Sequence, residues 1–273
     1  MYTIGVDIGT TSTKAVLFNG HQQLAVHNVL YPLLTPDTET AEQDPVVIYG
    51  AVLEAVSAVR AKADGPIRFA SFSSAMHSLI ALDAAGRPLT NSITWADSRA
   101  NPYTQEIKRN FDASALHMRT GTPVHPMAPL SKLRWLKAEH PDVFTQTDKF
   151  VSIKEYVFYR LTGRFVVDHS IASATGLFNL KQRDWDTEAL DVAGVTPERL
   201  SELVPTTEIL PVTPEVTETL GWDFPLVIGA SDGVLSNLGV GAFEQGVVAV
   251  SLDRKSTRLN SSHDRLSRMP SSA

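Results

Sequence analysis

The stretch Gly5-Val6-Asp7-Ile8-Gly9-Thr10-Thr11-Ser12-Thr13-Lys14 decides the fold, because an apolar run ends in a carboxylate and turns through glycine into hydroxyl-bearing residues. Backbone N–H groups at such a turn, together with the hydroxyls, can hold phosphoryl oxygens, and Asp7 can hold Mg²⁺ directly or through water. An ordinary β-hairpin, in which Gly9 permits the turn and the hydroxyls bond locally, fits the same residues. No Gly-Lys-Ser/Thr triplet follows, which disfavours a P-loop nucleotide site.

Apolar runs bounded by turn residues predict a strand-rich first third of the chain. The expected strands cover residues 2–6, 13–18, 24–29, 67–72 and 78–82, with one more leading to Trp95. The first three are consecutive and are expected to form a β-meander. After them, Asp44-Pro45 is typical of an N-cap followed by proline at the first helical position. The helix that it opens is expected to bury one face, formed by Val46, Leu53, Val56 and Val59.

From residue 97 to residue 163 the pattern becomes mainly helical, with helix starts indicated at Pro129 and near Ser152. We interpret this segment as a helical insertion. A short strand pair is then expected at residues 165–167 and 177–180.

The last regular unit begins with an apolar run at residues 226–229, which is typical of a buried strand. A turn is expected at residues 230–233, followed by a helix rich in small residues that continues to Leu238. Residues 253–273 are dominated by serine and arginine without sustained periodicity, which predicts disorder. An interaction tail is one interpretation of them, and an unstructured or foreign extension is the favoured one.

Composition excludes several classes of partner. The chain has 273 residues, is 43% hydrophobic and carries a net charge of -6, so a buried core is expected and broad adhesion to nucleic acid or to an anionic membrane is not. It has no cysteine, which excludes disulfides and thiolate metal sites. No signal peptide and no membrane-length apolar run is apparent, so a cytoplasmic location and a small-molecule partner are expected.

Four segments, taken in order, resemble one family. Residues 7–14 resemble the first phosphate motif of the FGGY carbohydrate kinases, members of the actin- and hexokinase-like superfamily. The other three are Ser74-Ala75-Met76-His77-Ser78, similar to the sugar-contacting Met-His segment; Trp95-Ala96-Asp97-Ser98-Arg99, similar to W-x-D-x-R; and Gly229-Ala230-Ser231-Asp232-Gly233, similar to the segment of the catalytic aspartate. This resemblance implies an α/β domain of the ribonuclease H-like type, in which helices flank a mixed sheet and a helical region is inserted. It also implies ATP and Mg²⁺ as cofactors.

The resemblance also assigns roles to individual residues. Asp232 becomes the catalytic base, since a carboxylate held between a strand and a helix can relieve an attacking hydroxyl of its proton, which contributes on the order of 10²- to 10⁴-fold. Asp7 becomes the metal-associated residue. The expected cofactor-side residues are Asp7, Gly9, Thr10, Thr11, Ser12 and Lys14. The expected substrate-side residues are Met76, His77, Trp95, Asp97, His125, Lys154 and Asp232.

Each assignment has a structural alternative. Asp232 alternatively caps a helix, although the resemblance favours the base, and Asp97 alternatively caps a helix that begins near Ser98. Met76 and Trp95 are suited to a core, and His77 to a structural hydrogen bond. Asp7 serves equally as a turn residue. Lys154 alternatively lies on a solvated helix face, and His125 alternatively only shapes a loop.

Within the family, residues 76–80, 94–97 and 125–135 resemble most the branch that phosphorylates gluconate. The carboxylate of gluconate needs donors, and the expected ones are His77, His125, Lys154 or Arg99. Xylulose or a related pentulose is the alternative substrate. A non-catalytic sugar-binding domain is the alternative from another class, and a homodimer is left open.

The sequence departs from the family pattern after Val250. Family members continue there into a Gly-Thr-Ser-Gly phosphate turn and a second, adenosine-binding domain, whereas this chain reads Ser251-Leu252-Asp253. We therefore expect residues 1–250 to form the N-terminal domain and residues 251–273 to be a non-native tail, with the ATP-binding domain missing. Because two lobes must close around the reactants, the chain alone is expected to bind sugar weakly or moderately and to transfer phosphate negligibly.

Overall fold

The computed structural model describes residues 1–242 and Val247, and a compact unit within it spans Met1–Leu235. The expected disorder of residues 253–273 lies outside the described residues. The strands are β1 (Tyr2–Ile8), β2 (Ser12–Asn19), β3 (Gln22–Leu30), β4 (Glu42–Gln43), β5 (Ile67–Ser74), β6 (Ile80–Leu82), β7 (Ser92–Ile93), β8 (Lys149–Val151), β9 (Val166–Asp168), β10 (Phe178–Asn179), β11 (Asp184–Trp185), β12 (Glu202–Val204), β13 (Ile209–Leu210) and β14 (Leu226–Ser231). The helices are α1 (Pro45–Arg60), α2 (Asn101–Asn110), α3 (Ala113–Thr120), α4 (Pro129–Glu139), α5 (Pro141–Gln146), α6 (Ile153–Thr162), α7 (His169–Ser173), α8 (Thr187–Ala193), α9 (Pro214–Leu220) and α10 (Asp232–Gly239).

A mixed sheet organises the fold. Its strand order is β13-β14-β5-β1-β2-β3, in which β14, β5 and β1 run parallel and the remaining strands pair antiparallel to their neighbours. The predicted β-meander of β1, β2 and β3 is confirmed. Because the three parallel strands end at the same edge, the residues that follow them are brought together there.

Helix α1 covers the meander and shows why the chain folds locally as it does. The Asp44 carboxylate accepts a hydrogen bond from the Val46 N–H at 2.8 Å, which confirms the predicted N-cap with proline in the first turn. The predicted buried face was wrong in one member, since Val46 is 52% exposed. Its neighbour Ile48 is buried, and two residues correspond to about 200° around a helix, so Val46 points away from the sheet.

The helical segment between β7 and β9 builds a second apolar cluster, separate from the one that packs on the sheet. The predicted starts at Pro129 and Ser152 are confirmed, and Ser152 forms a capping box with Glu155. Helix α6, which follows, contributes Ile153, Tyr156 and Phe158 to the sheet-side core.

Two predicted details of chain path were wrong. The strands near residues 166 and 178 do not pair with each other, because β9 pairs in parallel with β12, and β10 pairs with β11. In addition, Ala230 and Ser231 belong to β14 rather than to a turn, so that α10 begins directly at Asp232. The helices that flank the mixed sheet confirm the predicted α/β class. Within residues 1–242 and Val247, no helix is long and apolar enough to cross a membrane.

Candidate active site

The ends of β1, β5 and β14 place the two predicted acidic residues on one edge of the sheet. In the strand register, Asp7 lies beside Ser73 of β5, and Ser231 of β14 lies beside Ser74. Asp232 follows Ser231 directly and opens α10. The two carboxyl groups therefore flank the end of one central strand, although they are 225 positions apart in sequence (232 minus 7).

Asp232 has the electrostatic environment expected of a base. Partial burial raises the pKa of its carboxyl group, and the nearby charge of Asp7 raises this pKa further. The Gly233 N–H donates to Oδ1 at 2.7 Å and acts in the opposite direction. An N-cap accepts from the second or third N–H of its helix, whereas Asp232 accepts from the next residue, so simple capping does not account for it.

Hydrogen bonds to backbone carbonyls hold the turn at residues 9–12 in place. The Gly9 N–H donates to the Ser12 carbonyl at 3.0 Å, and a Cβ at Gly9 would lie 3.2 Å from that oxygen, which explains the glycine. The Tyr31 hydroxyl donates to the Gly9 carbonyl at 2.7 Å, and Gln43 Nε2 donates to the Thr10 carbonyl at 2.7 Å.

Tyr31 and Gln43 were missed by sequence reasoning, and Gln43 could have been noticed from its place directly before the Asp44-Pro45 helix start. On the other side of the turn, Asp7 and Thr11 are exposed. Lys14, which pairs with Asp7 across β1 and β2, is exposed as well. This arrangement is compatible with both the phosphate site and the ordinary hairpin.

Trp95 and Asp97 behave differently from each other. Trp95 is 50% exposed and donates its Nε1–H to Thr10 Oγ1 at 3.0 Å, so the core alternative was wrong and the ring is joined to the turn at residues 9–12. Asp97 is only 2% exposed and accepts from the Ala41 N–H at 3.0 Å and from Arg99.

The helix-cap alternative for Asp97 was also wrong, because α2 begins at Asn101 after Ala100, with no side-chain cap. Arg99 forms ion pairs with Asp97 and Glu42, and its guanidinium lies 4.4 Å from the ring centroid of Trp135. Its donors are therefore occupied by carboxylates of the protein itself.

His77 is held in an uncommon backbone conformation. Its φ of 68° is left-handed, and its Nδ1 lies 2.7 Å from the Ala174 carbonyl, to which only a protonated Nδ1 can donate. Burial lowers the pKa of His77, and the charges of Lys132 and His125 lower it further. The neutral ring then carries its lone pair on Nε2, which makes it an acceptor for a hydroxyl and not a donor to a carboxylate. Met76 precedes His77, and a Cβ on Gly233 would lie 3.7 Å from Met76 Cε, so the Met76 side chain lies beside the residue that follows Asp232.

His125 has the opposite arrangement. It is exposed, and its Nδ1 accepts from the Met127 N–H at 3.2 Å, so the neutral ring carries its proton on Nε2. Desolvation lowers the pKa of His125 as well. The two histidines are close enough for their charges to interact, and together they offer one hydroxyl acceptor and one N–H donor.

Lys154, expected from the sequence either beside the substrate or on a solvated helix face, is buried. It is 1% exposed and forms an ion pair with Asp168 at 2.8 Å, and Nζ also donates to the Ala230 carbonyl at 3.2 Å. The solvated-helix alternative was wrong, and the ammonium is turned inward, because this face of α6 packs against the core next to β14.

The ion pair belongs to a buried network that sequence reasoning missed. Ser170 and Ser231 share a hydroxyl–hydroxyl hydrogen bond of 2.8 Å, and the Ser231 N–H donates to Ser170 Oγ at 3.1 Å. The Asp168 carboxylate accepts from the Ser170 N–H at 3.0 Å and caps α7. Lys154 and this network therefore fix the end of β14 immediately before Asp232.

The mixed sheet carries Asp7 near the end of one parallel strand and Asp232 directly after another, with a hydroxyl-rich turn between two antiparallel strands. These features define an α/β protein of the ribonuclease H-like, actin- and hexokinase-like type. A family model described as "FGGY family of carbohydrate kinases, N-terminal domain" matches residues 2–239. The chain belongs to this family, which confirms the resemblance carried by its four motifs.

Individual relatives show which members of the family the chain resembles. The chain is 50% identical over 256 residues to the gluconokinase of Bacillus subtilis (strain 168), an alignment that covers 92% of this chain and 50% of that protein. Crystal structures of a gluconate kinase and of a ligand-bound xylulose kinase, both from Lactobacillus acidophilus, match with a TM-score of 0.85 and 43% identity, over 88% of this chain and 50% of theirs. The chain thus spans about half the length of the curated relatives it matches.

Proposed function

We propose that residues 1–250 are the sugar-binding and base-carrying domain of an ATP-dependent kinase that converts gluconate and ATP to 6-phosphogluconate and ADP. The observation that carries the proposal is that Asp7 and Asp232 lie at the same edge of the sheet. There, partial burial and the charge of Asp7 raise the pKa of Asp232. A raised pKa makes a carboxylate a stronger proton acceptor. The similarity to the Bacillus subtilis gluconokinase supports the choice of substrate.

The proposed reaction is an in-line phosphoryl transfer. The hydroxyl oxygen of the sugar acid attacks the γ-phosphorus, its proton passes to the Asp232 carboxylate, and the bond between the γ-phosphorus and the β–γ bridging oxygen breaks to release ADP. The sheet edge and α10 hold the Asp232 carboxylate in place before the hydroxyl arrives. Little reorganisation is then needed during proton transfer.

The donor set suits Mg²⁺ that arrives with the nucleotide. Within residues 1–242 and Val247, no group of three or more acidic or histidine side chains could hold a metal ion. Mg²⁺ is commonly held by one or two carboxylates together with substrate phosphates, and Asp7 would provide such a ligand. When bound, the ion would neutralise charge on the phosphates.

The two histidines support a polyol with an anionic end. Nε2 of His77 would accept a hydrogen bond from a sugar hydroxyl, and Nε2–H of His125 would donate to the carboxylate of gluconate. Of the four donors expected from the sequence, only His125 then remains for the carboxylate. Lys154 and Arg99 form ion pairs inside the protein, and Nε2 of His77 is an acceptor. Xylulose is the second candidate, since a xylulose kinase matches at the same identity and TM-score as the gluconate kinase.

The test is a sugar panel with the protein in the full length that its gene encodes. Gluconate, xylulose and glycerol are compared as acceptors with ATP, and Asp232→Asn is compared with Asp191→Asn, a control on the exposed side of α8. We expect gluconate to give the highest kcat/KM, Asp232→Asn to lose at least roughly 100-fold in kcat, and Asp191→Asn to match the parent. Chelation of divalent cations should abolish turnover.

Three outcomes count against the proposal. A higher kcat/KM for xylulose than for gluconate would replace gluconate by xylulose as the proposed substrate. Gluconate binding without turnover in the full-length protein would indicate a non-catalytic sugar-binding protein. Full activity of Asp232→Asn would remove the base. A cytoplasmic location and a homodimer stay predictions.

A further inference from the structure

A second buried lysine lies directly behind the substrate-side residues. Lys132 of α4 has a relative exposure of 0%, and its Nζ donates to three backbone carbonyls: His77 at 2.5 Å, Thr94 at 2.7 Å and Ile93 at 3.3 Å. An ammonium has three protons, so these carbonyls match its donors one to one. Among the described residues, it forms no ion pair.

Burying a lysine without a paired carboxylate costs free energy. Lysine is almost never fully buried without a paired charge, because desolvation penalises its ammonium. Burial lowers the pKa of Lys132 to about 7, although the nearby carboxylate of Asp97 raises it. The charged and polar groups around Nζ are Asp97, Arg99 and His77, together with the three carbonyls.

The carbonyls belong to two separate segments of the substrate side. His77 follows β5, whereas Ile93 ends β7 and Thr94 comes next, directly before Trp95. Backbone hydrogen bonds between Leu79 and Ile93, of 2.9 and 3.0 Å, also join these segments, and the Thr94 carbonyl also accepts from the Asp97 N–H at 3.2 Å. Lys132 adds a side-chain link to this bridge, and its ammonium reaches the carbonyl of His77 itself and that of Thr94, directly before the exposed Trp95.

The link acts on a residue that needs support. The left-handed φ of 68° at His77 is disfavoured for a residue with a Cβ and persists only where its surroundings fix it. Two contacts do so: the backbone carbonyl accepts from Lys132, and the ring donates to the Ala174 carbonyl. Together they determine where Nε2 of His77 points.

We propose that Lys132 is a positioning residue for the sugar site, which sets the position of His77 relative to Trp95 and thereby the affinity for a polyol without touching it. The inference rests on the proposed function for its substrate. It differs from that function in predicting an effect on the sugar and on the His77 ring, with little effect on the nucleotide.

The test compares Lys132→Met with Lys137→Met in the full-length protein. Lys137 lies on the same helix but is exposed, so it controls for the substitution itself. We expect Lys132→Met to raise the KM for gluconate roughly 10- to 100-fold, as misplaced contact groups do, and to leave the KM for ATP within about twofold. Lys137→Met should match the parent in both. A gluconate KM unchanged in a folded Lys132→Met protein overturns the proposal.

Two spectroscopic measurements separate this inference from the proposed function. In the NMR spectrum of Lys132→Met, the ring signals of His77 should shift and its pKa should rise, since the positive charge of Lys132 lowers it; no sugar is needed for this result. Unchanged ring signals contradict positioning even if the protein phosphorylates gluconate.

The second measurement uses the unmutated protein and covers the case in which Lys132→Met does not fold. At acidic pH, the Nζ protons of Lys132 should exchange slowly with water and show contacts to residues 77 and 94, and this signal should shift when gluconate is added. A signal that stays unchanged at saturating gluconate overturns the proposal.

Discussion

Removing Lys154 tests whether the buried ion pair with Asp168 stabilises β14, the strand that directly precedes Asp232. The two side chains are 2% and 0% exposed, and Nζ lies 2.8 Å from the Asp168 carboxylate. In Lys154→Met, Asp168 keeps its N–H donors from Ser170 and Ile171 but loses its cation. Breaking a buried pair from one side costs about 3–5 kcal/mol, so we expect a loss of that size in the free energy of unfolding. For a domain of this size, the loss corresponds to about 6–20 °C in Tm.

The double variant separates the charge from the cap. In Lys154→Met/Asp168→Asn, the amide oxygen can still cap α7, and no uncompensated charge remains, so the destabilisation should be much smaller than the sum of the two single losses. Asp168→Asn alone should cost less than Lys154→Met, because burial already lowers the pKa of Lys154 and the amine can give up its proton.

Urea unfolding of the four proteins measures these differences, and a surface pair supplies the matched control. Arg164 and Glu202 form an ion pair of 2.7 Å with side chains 45% and 61% exposed. Arg164→Met should cost less than about 1 kcal/mol, because solvent screens exposed pairs. If Lys154→Met lost no more stability than Arg164→Met, or if the double variant showed the full sum, the buried pair would not act as we argue.

Three further perturbations give opposite or condition-dependent results. Gly229→Ala should lose about 3 kcal/mol or more in urea unfolding, since its φ is 68° and an added Cβ would lie 1.9 Å from the Phe72 carbonyl oxygen, whereas Gly50→Ala, in open space on α1, should gain about 0.5–1 kcal/mol. Asp232→Asn should be more stable than the parent at pH 7 and equal to it below the unfolded pKa, because a raised carboxyl pKa means that the folded state loses stability as pH rises through that range; equal stabilities at pH 7 would contradict this. The parent protein should become more stable as pH rises from 7 to 10.5, because in this range the unfolded chain keeps the Lys132 proton and the folded one, with a pKa of about 7, has released it. In Lys132→Met this rise should be smaller. A parent whose stability does not rise across that window would show that the carbonyls keep Lys132 charged.

Sequence reasoning succeeded where local chemistry decides the structure. The N-caps Asp44 and Ser152 satisfy helix N–H groups within three residues of themselves, so their signals survive without tertiary information. The meander was predictable for the same reason, since consecutive strands need only short turns. Val46 was misplaced because three apolar residues in succession, Val46 to Ile48, leave the phase of a helix face ambiguous.

Tertiary contacts decided the rest. Strand β9 pairs with β12 from 36 residues away (202 minus 166), a partner that no local pattern specifies. Lys154 was misplaced because its environment comes from Asp168 and from the end of β14. The protonation pattern of His77 and His125 depends on the Ala174 carbonyl and the Met127 N–H, and the first of these is remote in sequence.

The distribution of charge explains why the cations of the sequence proved to be poor guides to the ligand. Lys132, Lys154 and Arg99 each satisfy carbonyls or carboxylates inside the protein, where they hold the segments that carry His77, Asp232 and Trp95 in place. On the side that faces the candidate ligands, Asp7 and Asp232 contribute negative charge, and neutral histidines contribute polarity without charge. A triphosphate would be repelled by the two carboxylates in the absence of a divalent cation, so binding of the nucleotide and binding of the metal should be strongly coupled. The buried lysines serve the site by fixing geometry, and this role is why their removal should alter sugar affinity and strand stability before it alters any charge that the ligands meet.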